Sequence, residues 1–129
     1  MKEISNKMID LIENENVSTD IFYSQLGYAA KDSSQEIEEH DFIYSFYEQG
    51  KYIWNKYKYD LRKYLCNLEE GKPKDFVGET ISGDIRSTLE ALIPLIAAEL
   101  NIALGLAIPI ACLIMKLKLK KFCSIDWNE

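Results

Sequence analysis

The segment from residue 91 to residue 115 constrains the fold of this chain more than any other part. Its strongly polar members are Glu99 and Asn101, and lysines crowd the six positions that follow it. A membrane span needs about 20 mainly apolar residues, often with a basic flank. The buried centre of a helical bundle has the same composition. The segment therefore predicts either a bundle core or a membrane-inserting hairpin.

Two prolines and one acid favour two shorter helices over one span. An ionised Glu99 would cost on the order of 3 kcal/mol inside a bilayer. Pro94 is expected to kink or break the first helix near residues 90–93, whereas Pro109 should lie in the first turn of the second. Residues 101–105 are the expected break. The residues assigned to this hairpin, in a core or in a membrane, are Glu99, Leu100, Ile102, Leu104, Leu106, Ile110 and Leu113.

Apolar residues elsewhere recur at spacings of three and four, which predicts an all-α fold. We expect a small bundle of about five helices, with a long central helix packed on the apolar C-terminal hairpin at about 84–122. The predicted helices cover residues 2–13, 20–30, 36–67, 84–100 and 106–122. A chain of 129 residues suits one domain, 1–129, with a possible internal boundary at 69–80.

Glycines interrupt two of the predicted helices. Gly27 weakens the prediction of the second helix, because glycine is a poor helix former. Gly50 falls inside the apolar stripe of the long helix. It either permits close approach of a neighbouring helix or marks a bend, and the periodicity alone does not distinguish the two.

Charge is distributed unevenly along the chain. Residues 1–48 contain three lysines and eleven acidic residues, whereas residues 49–74 contain seven basic and three acidic residues. The formal net charge of the whole chain is -6, which disfavours a general nucleic-acid binder. The two oppositely charged segments would attract each other within the chain.

Aromatic and basic residues alternate between positions 51 and 64, on the long helix. Tyr52 and Tyr59 are seven residues apart and fall opposite the apolar stripe. Such a face is either solvated, docked onto the acidic N-terminal segment, bound to a protein partner, or, least favoured, stacked on nucleic-acid bases. The candidate partner-binding residues are Lys51, Tyr52, Lys56, Tyr59, Arg62 and Lys63.

Catalytic chemistry has little support in the sequence. His40 is the chain's one histidine and lies four residues after Glu36, a pattern more typical of an acidic helix start than of a metal site. The chain has no HExxH, Walker A, GxSxG or GxGxxG motif. We therefore expect no enzyme, no metal site and no cofactor.

The cysteines predict a reducing environment. The chain has three, Cys66, Cys112 and Cys123, widely spaced and without a CxxC pair. A disulfide is not expected, and the first sixteen residues lack the apolar run of an export signal. These features favour a cytoplasmic location, with attachment to the inner or plasma membrane as the alternative.

Together these patterns predict a small intracellular, non-enzymatic protein-interaction module, such as an adaptor, a regulatory partner or a subunit of a larger assembly. A homo-oligomer is compatible with the same features. The alternative is a membrane-active helical hairpin, such as a toxin, a pore-forming effector or an immunity-type protein, that inserts residues 91–115.

Overall fold

The predicted all-α bundle is confirmed by a computed structural model, which describes residues 5–31, 42–80 and 83–124. These residues form seven helices and one minimal antiparallel hairpin. The helices are α1 (Asn6–Glu13), α2 (Asp20–Lys31), α3 (Phe42–Leu65), α4 (Asp75–Thr80), α5 (Ile85–Leu100), α6 (Leu104–Leu117) and α7 (Leu119–Phe122), and the hairpin strands are β1 (Cys66–Asn67) and β2 (Lys72–Pro73).

Helix α6 lies at the centre of the bundle. It packs against α1, α2, α5 and α7, and it is buried almost continuously from Pro109 to Ile114. The long helix α3 packs most extensively on α2 and reaches the C-terminal helices through α5 and α7. The Trp54 and Phe122 rings make the contact with α7, with centroids 5.8 Å apart. Much of the apolar C-terminal segment is therefore buried in the core of the bundle.

Two glycines allow α2 and α3 to cross at very short range. A Cβ added at Gly27 would lie 2.7 Å from the carbonyl carbon of Phe46, and one added at Gly50 would lie 2.6 Å from that of Tyr23. Real Cβ atoms do not approach backbone this closely. Gly50 thus permits the close approach of α2, which is one of the two roles that periodicity left open.

The turn between α5 and α6 lies where the sequence predicts it. Asn101 adopts the left-handed conformation (φ 54°) that commonly ends a helix, and the two helices are bent by 119°. Pro94, however, does not break α5, which continues from Ile85 to Leu100. The proline lies on the exposed side, as does Glu90, whose carbonyl loses its helical partner and can accept a hydrogen bond from water.

Pro109 also differs from expectation, because α6 begins at Leu104 and the proline lies in the helix interior. The carbonyl that its ring faces belongs to Gly105, an exposed residue in the first turn of α6. The predicted helix 106–122 is in fact two helices. Lys118, with φ 72°, separates α6 from α7.

Helix α3 ends two residues earlier than predicted, at Leu65, and the part of the prediction before residue 42 lies outside the described residues. Residues 68–71, where the possible internal boundary begins, form the turn of the β1–β2 hairpin, with Gly71 at φ 67°. Helix α4 follows, in a segment for which the sequence made no clear prediction.

The prediction that the chain forms no disulfide is wrong. Cys66 of β1 and Cys123, the residue after α7, are bonded, with Cα atoms 5.3 Å apart. The two cysteines are 57 residues apart in the sequence, so their pairing could not be predicted without the fold that brings them together. The bridge ties the C-terminal end of α3 to the C-terminal end of α7.

Helix α1 is held to the core by a lysine from α6. Lys116 Nζ donates hydrogen bonds to the backbone carbonyls of Leu11 (3.2 Å), Ile12 (3.3 Å) and Asn14 (2.5 Å). These are carbonyls at the end of α1, where an α-helix leaves acceptors unpaired and its dipole favours a cation. Lys116 thus caps a helix other than its own.

Replacing Lys116 with methionine should loosen α1 selectively. The substitution keeps the apolar stem but removes the charged donor, at a cost of about 1–2 kcal/mol. Amide hydrogen exchange in α1 should become about 5- to 30-fold faster, while exchange in the centre of α6 stays slow. Lys120→Met, at an exposed position of α7, is the control. Equal acceleration throughout the bundle would contradict this role.

Candidate functional site

The two tyrosines singled out from the sequence lie on the outer face of α3. Tyr52 is 65% exposed and Tyr59 is 58% exposed, whereas Trp54 and Leu61 on the opposite face are fully buried. Helical periodicity explains the arrangement, because positions 52 and 59 share one direction and 54 and 61 share another. Hence the packing of α3 onto the bundle is what directs both rings outward.

Two lysines run beside the tyrosines. Lys56 and Lys63 are both exposed, and each follows a tyrosine by four residues. We call Tyr52, Lys56, Tyr59 and Lys63 the tyrosine–lysine face. A further lysine, Lys58, places its ammonium 5.3 Å from the centre of the Tyr59 ring, a cation–π geometry.

Lys51 and Arg62 lie elsewhere. The Lys51 ammonium is 5.5 Å from the centres of the Tyr23 and Tyr47 rings, at the junction of α2 with α3. Arg62 donates from Nε to the carbonyl of Phe122 (2.9 Å) and from Nη2 to that of Ser124 (2.7 Å). The structure therefore brings four of the six candidate residues together and directs the other two toward neighbouring elements.

Arg62 and the disulfide both hold the segment from Phe122 to Ser124 in place. The guanidinium bonds flank Cys123, which is bonded to Cys66 near the end of α3. A planar guanidinium with several donors suits two adjacent carbonyls. Arg62 accordingly has a structural role in holding the chain after α7.

The hairpin candidates divide between core and surface. Ile110 and Leu113 are fully buried, Leu100, Ile102 and Leu106 are half-buried, and Leu104 is 42% exposed at the start of α6. Glu99 is exposed, beside a groove of about 460 Å³ that Lys63, Lys74 and Tyr64 also line. The acid that interrupts the apolar segment therefore faces solvent.

A larger groove, of about 780 Å³, lies around the β1–β2 hairpin. Its lysines alternate with acids, and Lys72 pairs with Glu70 at 2.9 Å, which raises the pKa of Lys72 above its ordinary value. Acids and lysines therefore line this groove together, and one of the lysines, Lys63, also belongs to the tyrosine–lysine face.

Within the described residues, no group of three or more histidine, cysteine and acidic side chains could hold a metal ion. His40 and Glu36 lie outside those residues. Cys112 is the unpaired cysteine, and burial raises the pKa of its thiol to about 12. A thiol so far from ionisation is a poor nucleophile.

Among the described residues, one bent pair of helices has the length and apolar composition of a membrane-spanning segment. Among the described helices, none is long and apolar enough alone to cross a bilayer. Ile85–Leu100 and Leu104–Leu117 reach the required length and composition when taken together, across the 119° bend.

Sequence reasoning missed the roles of Arg62 and of the two bonded cysteines. No local signal identifies them, since their partners are more than fifty residues away in the chain. The contact between Lys58 and the Tyr59 ring could have been expected, because the two residues are adjacent in the sequence. A helical projection does not suggest this contact, since it places adjacent residues in different directions.

The chain matches no known protein family, and no curated protein or solved structure is significantly similar to it. Arguments about its function therefore depend on the residues themselves.

Proposed function

We propose that this protein is a non-enzymatic protein-interaction module that binds a partner through the tyrosine–lysine face of α3. The observation that carries the proposal is the exposure of Tyr52 and Tyr59, 65% and 58%, on one side of a helix. Tyrosine is enriched at protein interfaces because it offers a large, rigid contact area and a polar end. Two such rings on a firmly packed helix would make a preorganised binding surface.

The rest of the bundle supports this role by fixing α3 in place. Its inner face is closed by the glycine crossing with α2, by Trp54 against Phe122 and by the Arg62 hydrogen bonds. A surface built on a rigid helix loses little conformational freedom on binding. The fold thus has the character of a scaffold that presents one helix face.

The membrane-active alternative has less support. Ile110 and Leu113, which would enter the bilayer, are fully buried inside the bundle. Their insertion would require α6 to leave α1, α2, α5 and α7. The exposed apolar residue at the hairpin turn, Leu104, is a small surface by comparison.

The double variant Tyr52→Ala/Tyr59→Ala tests the proposal. Affinity for the partner should fall at least about 30-fold, since the loss of a single hot-spot residue from an interface costs about 2 kcal/mol or more. Stability should change by less than about 0.5 kcal/mol, because both rings are exposed. Partners are captured with the wild-type chain from cells, identified, and their affinities measured by calorimetry.

Leu68→Ala/Leu104→Ala provides a matched control, because these leucines are exposed to 41% and 42% and lie away from the face. The control should retain every partner that the tyrosine variant loses. If all captured proteins bind the tyrosine variant with wild-type affinity, the proposal is wrong. Loss of binding in the control alone would place the binding site at the β1–β2 turn, which contains Leu68, or at the start of α6, which contains Leu104.

A further inference from the structure

The chain turns at Lys118, between α6 and α7, in a backbone conformation that suits glycine rather than lysine. Lys118 has φ 72° and ψ 123°, outside the ordinary left-handed region in which Asn101 lies. Residues with a Cβ rarely adopt such angles, and the strain persists only where surrounding contacts impose it. Among the described residues, no side chain caps the start of α7. Contacts from elsewhere in the fold therefore hold this turn.

The local sequence favours a continuous helix through the same point. Residues 110–124 contain neither glycine nor proline, the two residues that most often end a helix. Lysine and leucine, which alternate around Lys118, are good helix formers. In a continuous helix, residues 119–122 would follow the axis of α6 instead of turning aside from it.

Three attachments to α3 and β1 hold α7 in its turned position. The disulfide joins Cys123, directly after α7, to Cys66. The Arg62 side chain donates from Nε to the carbonyl of Phe122 at 2.9 Å. The Phe122 ring packs on Trp54, with centroids 5.8 Å apart. The disulfide is the covalent attachment of the three, and a change of redox state can remove it without any change of sequence.

We propose that the disulfide is a redox-sensitive switch, whose reduction releases α7 so that α6 continues through Lys118 as one helix. Relaxation of the strained Lys118 backbone favours release, whereas the burial of Leu119 and Phe122 opposes it. The reduced chain therefore exchanges between a closed and an open form. In the open form Trp54, which is fully buried while α7 is in place, loses the cover of Phe122.

A dithiol supplies the electrons for this step. Its thiolate attacks one sulfur of the Cys66–Cys123 bond, which breaks to leave a mixed disulfide, and its second thiol then displaces the other sulfur. The protein gains two electrons and two protons as two cysteine thiols, and the dithiol becomes a cyclic disulfide. Both cysteines are buried, so the attack requires a local opening of the chain around them.

Acrylamide quenching of Trp54 fluorescence tests the switch without any binding partner. Trp127→Phe leaves Trp54 as the single tryptophan, and every protein in the test carries this substitution. The oxidised chain, the dithiothreitol-reduced chain and the Cys66→Ala/Cys123→Ala variant are compared well below their unfolding temperatures. Thiol counting confirms that reduction is complete. Amide hydrogen exchange is followed in the same samples.

Reduction should raise the quenching constant at least about twofold, and the variant without the two bonded cysteines should show the raised value with or without reductant. Amide exchange should accelerate after Lys118 and stay slow in the centre of α6. Cys112→Ala is the matched control, because Cys112 is the unpaired cysteine, and it should respond to reductant as the wild-type chain does.

Substitutions at Lys118 test the role of the turn. Lys118→Gly removes the strain of the closed form and weakens the continuous helix, so the reduced protein should stay closed, with quenching close to that of the oxidised chain. Lys118→Ala, the matched control, keeps the strain and should open on reduction.

Three results would overturn the proposal. The first is an unchanged quenching constant in both the reduced chain and the Cys66→Ala/Cys123→Ala variant. The second is equal quenching of the reduced Lys118→Gly and Lys118→Ala proteins, since the turn would then have no part in the release. The third is an equal acceleration of amide exchange throughout the bundle, which would show general loosening instead of the release of α7.

Discussion

Replacing Gly50 with alanine should destabilise the bundle by at least about 3 kcal/mol, or prevent its folding. The added methyl group would overlap the backbone of Tyr23, whose carbonyl carbon would lie 2.6 Å from it. A backbone carbonyl cannot rotate away as a side chain can, so α2 and α3 would have to separate. Urea denaturation followed by circular dichroism measures the loss, and Gly27→Ala should behave in the same way.

Gly105→Ala is the matched control, because no atom beyond its chain neighbours and the backbone of its own helix lies within 4 Å of the position its Cβ would occupy. It also lies in a helix, so it should be neutral or stabilising by about 0.5–1 kcal/mol. Wild-type stability in Gly50→Ala would show that the helices do not cross at this distance. The position of α3, and with it the orientation of the tyrosine–lysine face, would then need revision.

Breaking the Cys66–Cys123 bond should cost about 2–4 kcal/mol and lower Tm by about 10 °C. The bridge closes a loop across 57 residues that contains α4, α5, α6 and α7. A link across so long a segment removes much of the freedom of the unfolded chain. Thermal unfolding of the Cys66→Ala/Cys123→Ala variant, compared with the wild-type chain, measures the effect.

Thiol counting provides the control for this prediction. The chain has three cysteines, so the denatured, unreduced protein should show one reactive thiol, that of Cys112, and the reduced protein should show all three. Reductant should lower the Tm of the wild-type chain and leave that of the double variant unchanged. Three reactive thiols before reduction would contradict the bond.

The sequence predicted two of the helices closely. Helices α2 and α5 begin and end within one residue of the expected positions, because capping residues and apolar spacing agree there. Asp84 illustrates the agreement: its carboxylate accepts a hydrogen bond from the backbone N–H of Ser87 at 2.7 Å, which lowers the pKa of Asp84.

Contacts between distant segments could not be predicted in this way. The glycine crossing, the Arg62 hydrogen bonds and the disulfide each join residues that periodicity treats separately. Pro94 misled for a different reason: an interior proline removes a hydrogen bond and crowds the carbonyl four residues earlier, yet α5 continues through it, with Pro94 and Glu90 on the exposed side.

The same distinction applies to the candidate site. Exposure of Tyr52 and Tyr59 follows from their position opposite the apolar stripe, which the sequence contains. The direction of Lys51 and Arg62 depends on α2 and on the chain after α7, which only the fold brings near. The central residues of a surface on one helix can thus be predicted from sequence, whereas tertiary packing decides which neighbouring side chains join it.

The central claim is that partners dock on the tyrosine–lysine face, and site-specific photocrosslinking tests it most directly. Benzoylphenylalanine is placed at Tyr52, Tyr59 or Leu104, one position at a time, and crosslinked in cells. The account predicts one and the same protein crosslinked from Tyr52 and Tyr59, and none from Leu104. Crosslinks to lipid or protein from Leu104, with none from the two tyrosine positions, would contradict it.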